Sequence, residues 1–176
     1  LLGTIVGFFL SWLKEYIQSK PKLKTELKKG KFYYYKEFCD GMGNIYKNIT
    51  SYEEANRLYL LLRFDVINIG KAGTGITDIS IRLKTSKGQV YHYPKLSFPL
   101  EHTELKDASF NLDANTVQTI EAEIDVVKDQ ENSYLFENIN IDPDSKNKLR
   151  ITVIVKGICK EQAELHVEPI SILSSA

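Results

Sequence analysis

The sequence predicts an all-β antiparallel sandwich preceded by one apolar helix. Three observations predict it. Leu1–Leu13 is apolar and carries no charge. From Pro21 onward apolar residues recur at every second position, the period of a half-buried strand. Clusters of Gly, Asn, Asp, Ser and Pro punctuate these runs at short intervals, a spacing that favours a sandwich or barrel of roughly seven to nine short strands. The 176 residues suit one domain with an appendage, divided as residues 1–19, an anchor helix, and 20–176, the β domain.

The opening segment reads LLGTIVGFFLSWL. As a helix it spans about 20 Å at ~1.5 Å per residue, short of the ~30 Å hydrocarbon core of a bilayer. Three readings stay open. It is the end of a single-pass anchor whose start precedes Leu1, or an interfacial helix with Phe8, Phe9, Trp12, Leu13, Tyr16 and Ile17 at the headgroup level, or a helix packed on the sandwich or on another copy. A cleaved signal peptide fits less well, because no charged region precedes the segment and no small-residue cleavage site follows it. Trp12 and Tyr16 fall where such a helix would leave the lipid. Next come Lys14, Lys20, Lys22, Lys24, Lys28, Lys29 and Lys31, against only Glu15 and Glu26. By the positive-inside rule this places the β domain on the cytoplasmic side of a membrane; the competing reading is a solvated linker that happens to be basic. The two cysteines, Cys39 and Cys159, are too few for a disulfide-stapled secreted domain and read as free thiols, with one bridge across the sandwich as the alternative.

The strands follow in order. Leu23, Thr25 and Leu27 alternate with charged residues, and Phe32–Tyr35 is rich in β-forming aromatics, half of which alternation would bury. Asp40-Gly-Met-Gly43 is a turn, and Ser51-Tyr-Glu-Glu54 suggests one helical turn. Leu58, Leu60, Leu62, Phe64 and Val66 point to one side of the clearest strand. Thr77, Ile79, Ile81 and Leu83 line the next, and Ser86-Lys-Gly88 turns it into Val90–Tyr93. Pro94 and Pro99 bound an irregular stretch. Ile120, Ala122, Ile124 and Val126, then Leu149, Ile151, Val153 and Val155, then Ala163, Leu165 and Val167 mark three further strands, with a polar loop over Asn140–Lys148.

Within residues 58–126, Phe64-Asp-Val-Ile-Asn68-Ile-Gly70 leads to Ile76-Thr-Asp78-Ile-Ser-Ile81, and Phe110-Asn-Leu112-Asp-Ala114 precedes Gln118-Thr-Ile120. This pattern resembles bacterial immunoglobulin-like accessory domains, in which a strand closes on Asn-x-Gly before a loop and an Ile-x-Asp strand. The resemblance implies an immunoglobulin-like sandwich that adheres or binds ligands without catalysis. Asn68 and Gly70 themselves suit a turn in left-handed backbone geometry.

The chemistry-bearing residues are scattered. His92, His102 and His166 lack metal-ligand spacing. Asp142-Pro-Asp144-Ser-Lys146-Asn147 puts lysine and asparagine where a calcium loop needs an oxygen ligand and a glycine. Gly70-Lys71-Ala-Gly-Thr74-Gly75 lacks the ending of a phosphate-binding loop. Glu121 and Glu123 fall on an outward strand face. Asn48-Ile-Thr50 is a glycosylation sequon without meaning in the cytoplasm. Lys plus Arg and Asp plus Glu are 23 each, a balance that argues against nucleic acid as a partner. No catalytic residue, metal or cofactor is expected. The expected function is a membrane-tethered, non-enzymatic binding or scaffold module that meets a protein or small ligand through Lys71, Thr74, Asp142 and Asp144. The alternative is a ligand-sensing membrane effector that oligomerises through Gly3 and Gly7 of its helix.

Overall fold

A computed structural model gives the structure of the chain and describes residues 2–99, 103–105, 108–137 and 149–167. Among the described residues, helix α1 (Leu2–Gln18) precedes eleven strands: β1 (Leu23–Cys39), β2 (Ile45–Ile49), β3 (Arg57–Asn68), β4 (Thr74–Lys84), β5 (Gln89–His92), β6 (Lys95–Phe98), β7 (Thr103–Leu105), β8 (Phe110–Leu112), β9 (Val117–Val127), β10 (Arg150–Gly157) and β11 (Gln162–Val167). They pair antiparallel into two sheets, ordered β2-β1-β3-β9-β6-β7 and β11-β10-β4-β5, and β8 pairs the start of β4.

One buried cluster joins the two sheets. Leu58, Leu60, Leu62, Phe64 and Val66 of β3 and Ile120, Ala122, Ile124 and Val126 of β9 meet Ile79, Ile81 and Leu83 of β4 and Ile151, Val153 and Val155 of β10. The expected inward set on β3 is at most 1% exposed. The molecule is therefore a β-sandwich whose period-two pattern reads out the facing sides of the sheets.

Two bulges break that period, and both change which residues face out. Leu27 pairs with Phe64 while Lys29 pairs with Arg63, so Lys28 is an extra residue in β1. Its insertion flips the phase of the strand. Leu23, Thr25 and Leu27 lie on the core side of the sheet before it, Leu27 still 40% exposed near the bulge, whereas Gly30, Phe32 and Tyr34 take that side after it, opposite Leu62, Leu60 and Leu58. Without the bulge Lys29, Lys31, Tyr33 and Tyr35 would point into the core. The lysines after Lys20 are accordingly not a linker, because from Lys24 they belong to β1. In β4 the register shift lies at Thr77, since Lys156 pairs with Asp78 and Gly157 with Ile76. Ile76 and Ile79 are both buried, and Thr77, expected inward, is exposed.

Other differences are local. Residues 45–49 form β2, closing a hairpin with β1 that alternation alone did not mark. Lys95–Phe98, expected to be irregular, is strand β6: the flanking prolines lie outside it, and it pairs with β9 and β7. The Ala55 amide donates to the Ser51 carbonyl at 3.1 Å, which makes the expected single helical turn. Three of the four aromatics in Phe32–Tyr35 are buried rather than half, because Tyr35 is covered on the outer face.

Candidate functional site

The expected anchor residues share one exposed surface. Phe8, Phe9, Trp12, Leu13 and Tyr16 are exposed by 76%, 57%, 52%, 37% and 53%, and Ile5, Val6 and Leu10 are exposed with them. At 3.6 residues per turn these eight positions sweep an arc of about 200°. Gly3, Thr4, Gly7, Ser11, Lys14 and Glu15 occupy the remainder, so the helix has a broad apolar face and a narrow polar one. Trp12 stacks on Tyr16 at 5.8 Å and meets Phe9 at 6.0 Å, and the Lys20 ammonium lies 4.9 Å from the Tyr16 ring centre. The aromatic end of the helix is thus also its cationic end. A Cβ added at Gly3 or Gly7 would meet nothing within 4 Å. Among the described residues no helix is long and apolar enough to cross a membrane. The single-pass span has no support there, since α1 carries Lys14 and Glu15 within Leu2–Gln18.

The loop end of the sandwich is held together by Asn68. Its carboxamide oxygen accepts from the Lys22 amide at 3.2 Å and the Gly70 amide at 3.0 Å. Its nitrogen donates to the carbonyls of Ala72, Leu112 and Asp113 at 2.8, 3.3 and 3.2 Å. One fully buried side chain so ties the entry to β1, the β3–β4 loop and the end of β8. Asn68 and Gly70 are not in left-handed geometry; among the described residues that belongs to Asn115 (φ 57°), Lys160 (φ 67°) and Gly43 (φ 87°). Gly70 is needed for close approach instead, because a Cβ there would sit 2.5 Å from the Lys20 carbonyl oxygen and the Lys22 nitrogen.

The expected binding-loop residues therefore divide. Lys71 is exposed in the β3–β4 loop. Thr74 is not a loop residue: it starts β4, is 8% exposed, and its hydroxyl donates to Glu161 Oε1. Asp142 and Asp144 lie outside the described residues.

Period counting missed a third surface, the outer face of the six-stranded sheet. Tyr33 stacks on Tyr59 at 4.9 Å, with Tyr35 6.0 Å from Tyr33. The Tyr35 hydroxyl donates to Asp125 Oδ2 at 2.6 Å. Arg57 bridges Glu37 at 2.8 Å and Asp125 at 3.3 Å. Burial raises the Tyr35 phenol, helped by its hydrogen bond to Asp125, and burial with the Glu123 hydrogen bond raises Tyr59. These phenols stay protonated and act as donors, not bases. Two rows further, beyond Lys31 and Leu61, Arg63 donates from Nε and Nη2 to Glu121 Oε2 at 3.1 and 2.8 Å. The signal for this face was the Lys-x-Lys-x-Tyr-x-Tyr pattern from Lys29 to Tyr35, legible only once the bulge is placed.

Residues able to react are dispersed. Cys39 and Cys159 are free and exposed. His92 is half-buried, burial lowers its pKa, and its Nε2 has no partner among the described residues. His166 is exposed beside Thr152 and Glu164, and His102 lies outside the described residues. Among the described residues no group of His, Cys, Asp and Glu could hold a metal ion.

No protein-family model matches the sequence, and no curated protein matches it. Among solved structures, an uncharacterised β-sandwich protein from Clostridium difficile 630 is similar at 9% identity with a TM-score of 0.40, covering 85% of this chain and 90% of that one. The sporulation control protein Spo0M from Bacillus subtilis is similar at 11% identity with a TM-score of 0.41, over 85% of this chain and 48% of the other, so this chain spans about half of its length. At such scores the overlap is coarse, and the sandwich stands on its own two sheets and their shared core.

Proposed function

We propose that the chain is a membrane-associated, non-enzymatic binding or scaffold module, with α1 lying in the lipid interface and the β-sandwich on the cytoplasmic side. One observation carries the reading: eight large apolar side chains of α1 are exposed while the sandwich beside them closes its own core. A lipid surface suits this face. The arc is broad and aromatic, its exit end holds Trp12, Tyr16 and Lys20, and lysines follow that favour anionic headgroups. Within this reading the sandwich belongs with the immunoglobulin-like accessory domains that residues 58–126 resemble, and it presents Lys71 at the loop end tied by Asn68.

Cell fractionation with protease accessibility tests it. The full chain should sediment with membranes and resist protease added to intact cells. Phe8→Ser with Trp12→Ser should release it to the supernatant in folded form. Recovery of the unaltered chain in the supernatant, or digestion of the sandwich from outside intact cells, would overturn the proposal. Self-association through Gly3 and Gly7 is a distinct outcome: Gly3→Ile with Gly7→Ile would then dissociate oligomers and leave sedimentation with membranes unchanged.

A further inference from the structure

The outer face of the six-stranded sheet carries a shallow depression lined by Lys29, Lys31, Leu61, Arg63 and Glu121. We propose that this depression binds a phosphate monoester dianion.

The sequence builds the site through the bulge at Lys28. That extra residue turns Lys29 and Lys31 outward together and sets them opposite Arg63 and Leu61. Alternate residues of one strand stand ~6.6 Å apart and neighbouring strands ~4.8 Å apart, so the three cations root within reach of one phosphate. Glu121 pins the Arg63 guanidinium through Nε and Nη2 and leaves its Nη1 side unengaged among the described residues. Lys29 and Lys31 have no acidic partner among the described residues, although Lys24 and Lys28 nearby are paired with Glu26 and Asp65. The lining holds three cations against one carboxylate, a local excess of two positive charges, while Glu123, paired with Leu61 on the neighbouring strand, is turned to the Tyr59 hydroxyl. A phosphate monoester, with a charge near −2 at neutral pH and three acceptor oxygens, matches that charge; a carboxylate would leave one ammonium unmatched. Leu61 gives the depression an apolar floor. The Tyr33–Tyr59 stack in the adjoining row offers ring surface to the organic part of the ester.

The competing reading is that these lysines guard an open edge. β2 pairs β1 only from Tyr35 onward, so beside Lys29 and Lys31 no described strand adds to β1 on that side, and edge lysines discourage strand addition. The test separates the two. The full chain in zwitterionic micelles is titrated with phenyl phosphate at constant ionic strength and followed by amide NMR. Saturable shifts should centre on Lys29, Lys31 and Leu61 and weaken between pH 7.5 and pH 5 as the ester loses its second charge. Lys29→Gln with Lys31→Gln should weaken binding about tenfold or more, the loss expected for charge-assisted hydrogen bonds, and Lys29→Arg with Lys31→Arg should keep it. Flotation of the Phe8→Ser/Trp12→Ser chain with phosphatidic acid vesicles separates the two sources: binding there marks a lipid-borne monoester, and its absence beside phenyl phosphate binding marks a soluble one. Because that chain lacks the helix face, failure of the membrane reading and failure of this site are distinguishable. Equal shifts with chloride, or a glutamine variant that self-associates yet binds phenyl phosphate as tightly as the unaltered chain, would overturn the proposal.

Discussion

Helix α1 and strand β3 are both rich in large apolar side chains, and they dispose of them in opposite ways. In β3, Leu58, Leu60, Leu62, Phe64 and Val66 are lost to solvent almost completely, between sheets that bring β9, β4 and β10 against them. In α1, every large apolar side chain from Ile5 to Tyr16 is exposed. Fully burying one such side chain is worth about 1.5–3 kcal/mol, so β3 supplies folding energy and α1 leaves its share unspent. The difference lies in periodicity. A two-residue repeat finds a partner in the second sheet, and a 3.6-residue repeat finds no described helix or groove to receive it. Apolar content alone thus does not say where a segment goes; the surface able to cover it does.

The contrast can be broken most sharply in the core. Phe64→Ala should destabilise the domain by about 4 kcal/mol in urea unfolding, while Phe8→Ala should stay within about 0.5 kcal/mol. Similar losses at both positions would mean that α1 is packed in solution. The join between the regions comes next. Asn68→Ala leaves two amides and three carbonyls without their shared partner and should cost about 3 kcal/mol. Gly70→Ala forces a methyl against the Lys20–Lys22 backbone and should cost about 2 kcal/mol, with chymotrypsin cleavage after α1 accelerated if the helix exit loosens. Smallest is the pH response of the sandwich, in which α1 takes no part. Burial keeps the His92 imidazole neutral in the fold, with Asp129 opposing weakly, whereas the unfolded chain takes up a proton below about pH 6.5. Stability is therefore whole above that pH and declines as pH falls toward the lowered folded-state pKa. Melting at pH 5 should lie below melting at pH 7.5, and His92→Gln should narrow the gap; an unchanged gap would remove His92 as its source.

Most of the architecture was legible in the residues. The inward sets of β3, β9 and β10 follow from alternation because each of those strands packs one face on the core without interruption. Part of what escaped was caused by single inserted residues. Lys28 and Thr77 have no signature that separates a bulge from an ordinary strand position, yet Lys28 reassigns the face of the rest of β1 and Thr77 turns outward between buried Ile76 and Ile79. Asn68 was readable as a turn residue and acts as a buried hub, because sequence does not reveal that Lys22, Ala72 and Leu112 converge on it. The Tyr33–Tyr59 stack and the Lys29–Arg63 pairing are cross-strand facts, fixed by register rather than by composition.

Trp12 is the single tryptophan of the chain, so its fluorescence reports on α1 alone. Titrating the full chain with vesicles of phosphatidylcholine and phosphatidylglycerol should shift Trp12 emission to the blue, and lipids brominated high on their acyl chains should quench it more strongly than lipids brominated near the chain ends. Emission that stays at the wavelength of a water-exposed indole at every lipid concentration would contradict an interfacial helix.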